Sequence, residues 1–386
     1  MNLIFGDFLV YYRKIVDSMD KICCFFNHPS HYRESIYSLM DERLHCDFFF
    51  GDEVPTVREM DCSVLKNVTR VHYNHISKKI LYIKGIIKPL VSKYNTIIVT
   101  PATNSITHWL LLFLYKLAPK KRIFFWTHGL YGNESKRQLF FKKLMYKNAT
   151  GVFLYGNYAK KLMINNGFDE SKLHVVYNSL NYEEQLALRK TIGTSNIYLD
   201  YFGNHNPTII LIGRLNRRKK IELLIDAVEQ LNKKNFLVNV VIVGDGTGKD
   251  ELYRLTCEKN INKQFWFYGA CYDEKTNAQL IYNSDLCVVP GDIGLTALHA
   301  MTFGVPVISH DFFPSQGPEF EIINPGVTGN FFKNGDSVSL SETILNWLRS
   351  PSYNRDVIRN QCFSTIDEKW NPLAQIRVFE KVLFTS

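Results

Sequence analysis

Short runs of β-branched and aromatic residues punctuate the chain, each followed by polar segments in which apolar residues recur at helical spacing. In the first half they are ICCFF (22–26), DFFF (47–50), TIIV (96–99), RIFFW (122–126), GVFLY (151–155) and LHVVY (173–177). In the second half they are TIILI (208–212), VNVVIV (238–243), QFWFY (264–268), DLCVV (285–289) and VPVIS (305–309). The runs are continuously apolar, so each predicts a strand covered on both faces. Their alternation with helices predicts parallel sheets. The fold class is therefore α/β, with two Rossmann-like, doubly wound parallel-sheet units.

The least patterned stretch, 191-TIGTSNIYLDYFGNHNPT-208, is rich in Gly, Asn, Ser and Thr and sets the expected boundary. The first domain is expected over 1–190, the second over 191–369, and a C-terminal helix over 370–386 returns to the first. Residues 1–20 read either as an extra helix or as sequence ahead of a start at Met19. Ligands of open α/β sheets sit beyond the carboxyl ends of the strands, so the site is expected in the cleft where the two units face each other.

Composition sharpens this picture in three ways. With 386 residues, 46% of them apolar and 22% charged, the chain can bury two cores. Its eight cysteines form no CxxC pair and read as buried free thiols, and neither a signal peptide nor a membrane span is apparent, so a cytoplasmic protein is expected. The net charge of +9 is lopsided: residues 1–190 hold 27 Lys and Arg against 16 acids, and 191–386 hold 19 against 21. Between Cys62 and Phe168 there are 18 basic residues and one acid, Glu134, which reads either as a solvated face or as a surface for an anionic membrane. Nucleic acid is disfavoured, since no zinc, helix-turn-helix or RNP-type signature occurs.

The chemistry-bearing motifs cluster in the second half. After TIILI, 213-GRLNRRKKIELLIDAV-228 places Arg214, Arg217, Arg218, Lys219 and Lys220 ahead of a helix, where positive charge opposes the helix dipole unless an anion partners it. In 244-GDGTGKDEL-252, Lys249 stands where a dinucleotide fingerprint needs Gly. In 285-DLCVVPGDIGLTALHAMTFGVPVISHD-311, Gly291 and Gly294 let backbone approach a ligand, and a helix starting near Leu295 points unpaired N–H groups at it. Such a turn suits a phosphate. His299 reads equally as a ribose contact or a structural histidine, and Glu319 and Glu321 in 318-PEFEIINPGVTGNFF-332 equally as helix caps or ligand contacts. In the first half, Lys136, Lys143 and Lys147 share one side of a helix whose Phe140, Phe141, Leu144 and Met145 form an apolar stripe. This basic amphipathic helix suits either a core with a solvated face or a bilayer surface.

The order GRL with a following Lys, then GDG, FYG, PGDIGLTALHAM and PEFEII resembles the donor domain of the retaining family-four glycosyltransferases of GT-B fold, over about 208–332. The segments 27-NHPSHYRE-34, 126-WTHGLYGNE-134 and 155-YGNYAKKLMINNG-167 resemble, more loosely, acceptor domains of enzymes that build bacterial surface polysaccharides. The resemblance implies that Arg214 and Lys219 bind the diphosphate of a nucleotide-sugar donor, without a metal or other cofactor. Gly213, Ile293, Gly294, Leu295 and Thr296 would line that site, Tyr268, Gly269 and Ala270 would border the base, and His128 would face the transferred sugar. His31 and Arg33 are acceptor-side candidates, and the acceptor is expected to be a saccharide, lipid-linked in the sharper reading. The family's two glutamates fall here on Gly291 and His299, so either Asp292 substitutes for the first carboxylate or the sugar is held differently. A sugar-nucleotide epimerase of the same fold and a non-catalytic nucleotide-sugar binder stand as the alternatives.

Overall fold

Each apolar run folds as a strand, covered from both sides in the fully buried Ile22–Phe26 and Thr208–Ile212 and half-buried at the edges in Leu173–Val175 and Phe265–Gly269. The structure, a computed structural model, describes residues 21–52, 57–77, 80–351 and 353–384. The helix expected over 1–20 lies outside them.

The strands are β1 (Ile22–Phe26), β2 (Asp47–Phe50), β3 (Val68–Arg70), β4 (Tyr73–Ser77), β5 (Ile80–Ile83), β6 (Thr96–Val99), β7 (Arg122–Thr127), β8 (Gly151–Leu154), β9 (Leu173–Val175), β10 (Thr208–Ile212), β11 (Asn239–Val243), β12 (Phe265–Gly269), β13 (Leu286–Val289), β14 (Val307–His310) and β15 (Gly329–Phe332). The helices are α1 (Glu34–Leu44), α2 (Ile87–Lys93), α3 (Ile106–Leu117), α4 (Lys136–Lys147), α5 (Asn157–Asn165), α6 (Tyr182–Thr191), α7 (Ile197–Phe202), α8 (Ile221–Lys233), α9 (Lys249–Glu258), α10 (Glu274–Asn283), α11 (Thr296–Thr302), α12 (Ser337–Leu348), α13 (Arg355–Lys369) and α14 (Pro372–Phe384).

One sheet has the order β3-β2-β1-β6-β7-β8-β9, the other β12-β11-β10-β13-β14-β15, and every pairing within them is parallel. Reversal of strand order beside β1 and beside β10 opens a crevice at the carboxyl ends of each sheet. On the first sheet, α2 to α5 cover one face through Leu90, Leu111, Tyr115, Met145 and Met163. The other face is covered by α1 and α14 through Tyr37, Met40, Ile376 and Phe379. The second sheet is sandwiched in the same way, with α8, α9 and α12 on one face and α6, α7, α10, α11 and α13 on the other.

Two features bind the units together. Helix α14 follows α13 of the second unit yet seats Phe379 against Phe153 (ring centroids 4.4 Å apart) and Trp126 (5.1 Å) of the first. Helix α6, which the sequence reading assigned to the first unit, packs on the second: Tyr182 joins that core, Gln185 Nε2 donates to Glu274 Oε1 (2.8 Å) and Arg189 pairs with Asp367 (2.7 Å). The Gly- and Asn-rich stretch is thus a surface passage within the second unit. Of the eight cysteines, Cys23, Cys24, Cys46, Cys287 and Cys362 are buried as expected of structural thiols, whereas Cys257 is exposed.

Candidate active site

The donor-side wall is made by two nested turns. Where β10 ends, Gly213 adopts φ +140°, and a Cβ there would meet Thr296 Oγ1 at 3.4 Å and Lys219 Cε at 3.9 Å. The chain then turns through Asn216, whose side chain accepts from Arg218 N (3.0 Å), and leaves at Lys220 with φ 48°, a left-handed position that favours glycine. The second turn follows β13. A Cβ on Gly291 would stand 1.9 Å from the Arg218 carbonyl oxygen, so only glycine fits, and Asp292 N donates to that same oxygen (2.9 Å).

This nesting fixes Lys219. Its ammonium donates to the carbonyls of Asp292 (2.6 Å) and Ile293 (3.0 Å), and burial lowers its pKa, with Asp292 opposing. A desolvated cation held only by neutral carbonyls gains strongly from an arriving anion. Asp292 in turn accepts from Arg218 and from Gly317 N (3.0 Å), while Gln316 Oε1 accepts from Ile293 N (2.9 Å). Helix α11 begins at Thr296, whose hydroxyl donates to the Ile212 carbonyl (2.8 Å). Its proton is therefore committed to the scaffold. Since α11 is only seven residues long, the main positive element at this turn is Lys219 itself.

The opposite wall comes from the first sheet, and together they enclose a cavity of about 570 Å³ lined by Tyr32, Arg33, His128, Tyr131, Asn133, Asn178, Arg218, Asp292, Gly294, Leu295 and the 314–319 loop. His128, just past β7, has its ring open to the cavity, stacked on Tyr131 (5.7 Å) and packed against Tyr155 (4.8 Å). Enclosure between the walls, together with the Arg33 and Lys142 charges, lowers its pKa to about 4, so it is a neutral imidazole at pH 7. Arg33 leaves a single 3₁₀ turn after β1. Its guanidinium lies over Trp126 (4.9 Å) and Tyr155 (5.3 Å) and donates to the Tyr155 hydroxyl.

The loop after β14 reaches across the cleft. Glu319, 3% exposed, accepts from Asn178 Nδ2 (2.9 Å), and burial raises its pKa. Glu321 accepts from Asn157 N (2.7 Å) and Tyr158 N (2.6 Å), capping α5 where Gly156 has no side chain to do so. Asn133 Nδ2 donates to the Pro314 carbonyl (2.8 Å).

Of the expected residues, Arg33, His128, Asp292, Gly294, Leu295 and Glu319 thus line one cavity, with Lys219, Gly213, Ile293 and Thr296 directly behind it. Arg214 and Arg218 are both exposed on the turn, and of the two Arg218 borders the cavity. The Tyr268–Ala270 turn ends β12 away from that lining, and Glu321 serves as a helix cap. His31 is turned away, hydrogen-bonded to the Arg58 carbonyl (3.1 Å). His299 Nε2 bonds Glu274 Oε1 (2.9 Å), a partner that sequence reading missed. Asn178 and Gln316 were missed too. Asn178 stands just past a strand's carboxyl end, a position that should have marked it.

Residues 202–361 match the family described as Glycosyl transferases group 1. This segment is similar to the group 1 glycosyl transferases. It contains Gly213, Lys219, Asp292 and Glu319 and hence the whole donor-side wall. Over 287 residues the chain is 23% identical to an uncharacterized 41.2 kDa protein in the cps region of Klebsiella pneumoniae, covering 70% of this chain and 74% of that one. Over 187 residues it is 27% identical to the lipopolysaccharide 1,6-galactosyltransferase of Escherichia coli K12, covering 46% of each. Among solved structures, the lipopolysaccharide outer core galactosyltransferase WaaB in its apo form superposes with TM-score 0.70 at 18% identity over 95% of this chain and 99% of that one. HepE of Anabaena in complex with UDP gives 0.67 at 18% over 94% and 99%. The matched segment and the unit before it form the GT-B fold, with the cavity at its cleft.

Proposed function

We propose that the protein transfers a sugar from a nucleotide-diphosphate sugar, with UDP as the nucleotide, to a hydroxyl of a saccharide with retained configuration. The carrying observation is Lys219, a desolvated ammonium set between two glycine turns at the cleft, with Arg218 beside it. The similar protein HepE is described in complex with UDP and with UDP-glucose, which supports that donor class. The E. coli relative acts on lipopolysaccharide and the Klebsiella relative lies in a cps region, which supports an acceptor in surface-polysaccharide assembly, carried on a lipid.

In this reading the diphosphate lies along Gly213, Gly294 and Leu295 against Lys219. As the bond from the anomeric carbon to the phosphate oxygen breaks, its electron pair goes to the diphosphate, where Lys219 and Arg218 meet the growing charge without a metal. The acceptor oxygen bonds the same face, and its proton passes to the departing phosphate oxygen. A neutral His128 hydrogen-bonds the sugar without placing a second cation beside an electron-poor carbon. Asp292, pinned by Arg218 and Gly317 N, presents the carboxylate that Gly291 lacks.

Thermal unfolding with UDP in EDTA tests the site. Saturating UDP at 100 times its Kd adds about 2.7 kcal/mol of stability to the wild type. Lys219→Ala should lose that gain. If no nucleoside diphosphate raises the melting temperature of the wild type, the donor reading fails. Product analysis then separates glycoside formation from isomerised or free sugar.

A further inference from the structure

Helix α3 is apolar both on its core face and on the face opposite. Thr107, His108, Leu111, Leu112 and Tyr115 face the core, as an amphipathic helix requires. Yet its outer face carries Ile106, Leu110, Phe113 and Leu117, exposed by 48%, 42%, 59% and 65% at positions that stack one above the next along the helix. Helix α4 lies beside it in the same layer, since both fill one core cluster, and Lys116 Nζ donates to Asn148 Oδ1 (2.5 Å) where the two end. It adds Phe140, Phe141 and Leu144, exposed by 62%, 38% and 46%. Two helices of one layer thus each leave large apolar side chains open to solvent, seven in all, more than singly scattered surface residues account for.

Charge selects the occupant. Lys120, Lys136, Arg137, Lys143 and Lys147 lie on these two helices or just past their ends, and Glu134, the one acid between Cys62 and Phe168, is taken by Lys142 (2.9 Å). A protein partner would need an acidic apolar face of matching shape, whereas an anionic bilayer offers both properties over any flat area. Helix α4 also begins near the cleft, because Asn133, three residues before it, is part of the cavity wall.

We infer that the α3–α4 face is a docking surface for anionic phospholipid, with Phe113, Leu117 and Phe140 entering the headgroup region and the lysines meeting lipid phosphates. The surface stands apart from the donor site. That it brings a lipid-borne acceptor to the cleft mouth rests on the reaction proposed above.

Cosedimentation of the full chain with vesicles of phosphatidylglycerol and phosphatidylethanolamine, against phosphatidylcholine alone, tests it. Wild type should bind the anionic vesicles and release with salt. The exposed substitutions Phe113→Glu with Leu117→Glu should abolish binding. Lys136→Glu with Lys143→Glu and Lys147→Glu should weaken it by about 100-fold or more, given roughly fivefold per lost cation. UDP-induced thermal stabilisation should survive in each variant. Wild type that ignores anionic vesicles, or variants that bind them equally, overturn the assignment. Light scattering that shows a dimer dissociated by Phe113→Glu overturns it in favour of a second copy of this chain. Loss of UDP stabilisation in wild type with vesicle binding intact would instead strike the reaction and leave the surface standing.

Discussion

Glu321 crosses the cleft to cap α5 of the other unit, so removing its carboxylate should loosen the closed arrangement without touching the donor wall. Its two oxygens accept from Asn157 N at 2.7 Å and Tyr158 N at 2.6 Å. A hydrogen bond to a charged acceptor contributes about 1.5–3 kcal/mol, and a lost N-cap costs about 0.5–2 kcal/mol. Burial of the carboxylate opposes this gain, as its raised pKa shows, so Glu321→Ala should weaken closure by no more than the cap itself, about 0.5–2 kcal/mol. That shifts the ratio of closed to open molecules by roughly 2- to 30-fold. Gly156→Ala should act in the same direction, because a Cβ there would lie 2.3 Å from Glu321 Oε1. Small-angle scattering of the free protein should show a larger radius of gyration for both variants. Acceptor-dependent turnover should fall, while calorimetric UDP affinity holds, because Lys219 and its turns all belong to the second sheet. Unchanged scattering and turnover in Glu321→Ala would refute the clamp. An equal loss of UDP affinity would show that the loop acts on the donor site instead.

Acid should destabilise the protein through His108. Its Nδ1 accepts from Ala102 N (3.0 Å), and burial lowers its pKa to about 4. From pH 6.5 down to about 4 the unfolded chain takes a proton that the folded one refuses. Stability falls across that window by up to about 3 kcal/mol. Urea midpoints against pH should flatten in His108→Asn, though only in part, since His128 and His310 are shifted the same way; an unaltered slope counts against this. Gly291→Glu, which restores the residue expected from the family resemblance, should lower stability by about 1–3 kcal/mol and abolish UDP binding, because its Cβ meets the Arg218 carbonyl oxygen at 1.9 Å. Retained UDP stabilisation would show that the turn can open. Arg33→Gln should cut acceptor-dependent kcat/KM by roughly 10- to 100-fold, the worth of a charge-assisted hydrogen bond, and leave UDP affinity intact. The reverse pattern would move Arg33 to the donor.

What the sequence revealed and what it hid divide along a physical line. Strand runs such as TIILI and RIFFW were legible because burial on both faces leaves no polar position, and their parallel pairing follows from helices covering both faces. Strands β3 and β15 were not: Val68–Arg70 is a partly exposed edge strand, and Gly329–Phe332 opens with a glycine rather than an apolar run. Helix α6 was misassigned because its allegiance depends on Tyr182 and Gln185 finding partners nearly a hundred or more residues later, at Glu274 and Asp367. At the site, Lys219 was legible as part of a local motif between strand and helix. Which arginine of the motif meets Asp292 was not, because it depends on which guanidinium the Gly291 turn brings there, and it is Arg218. The same holds across the cleft, where Asn178 meets Glu319 and Asn157 meets Glu321 over 141 and 164 residues. Neither glutamate's neighbourhood in sequence records its partner, so a cap and a cavity carboxylate two residues apart look alike until the sheets are set face to face.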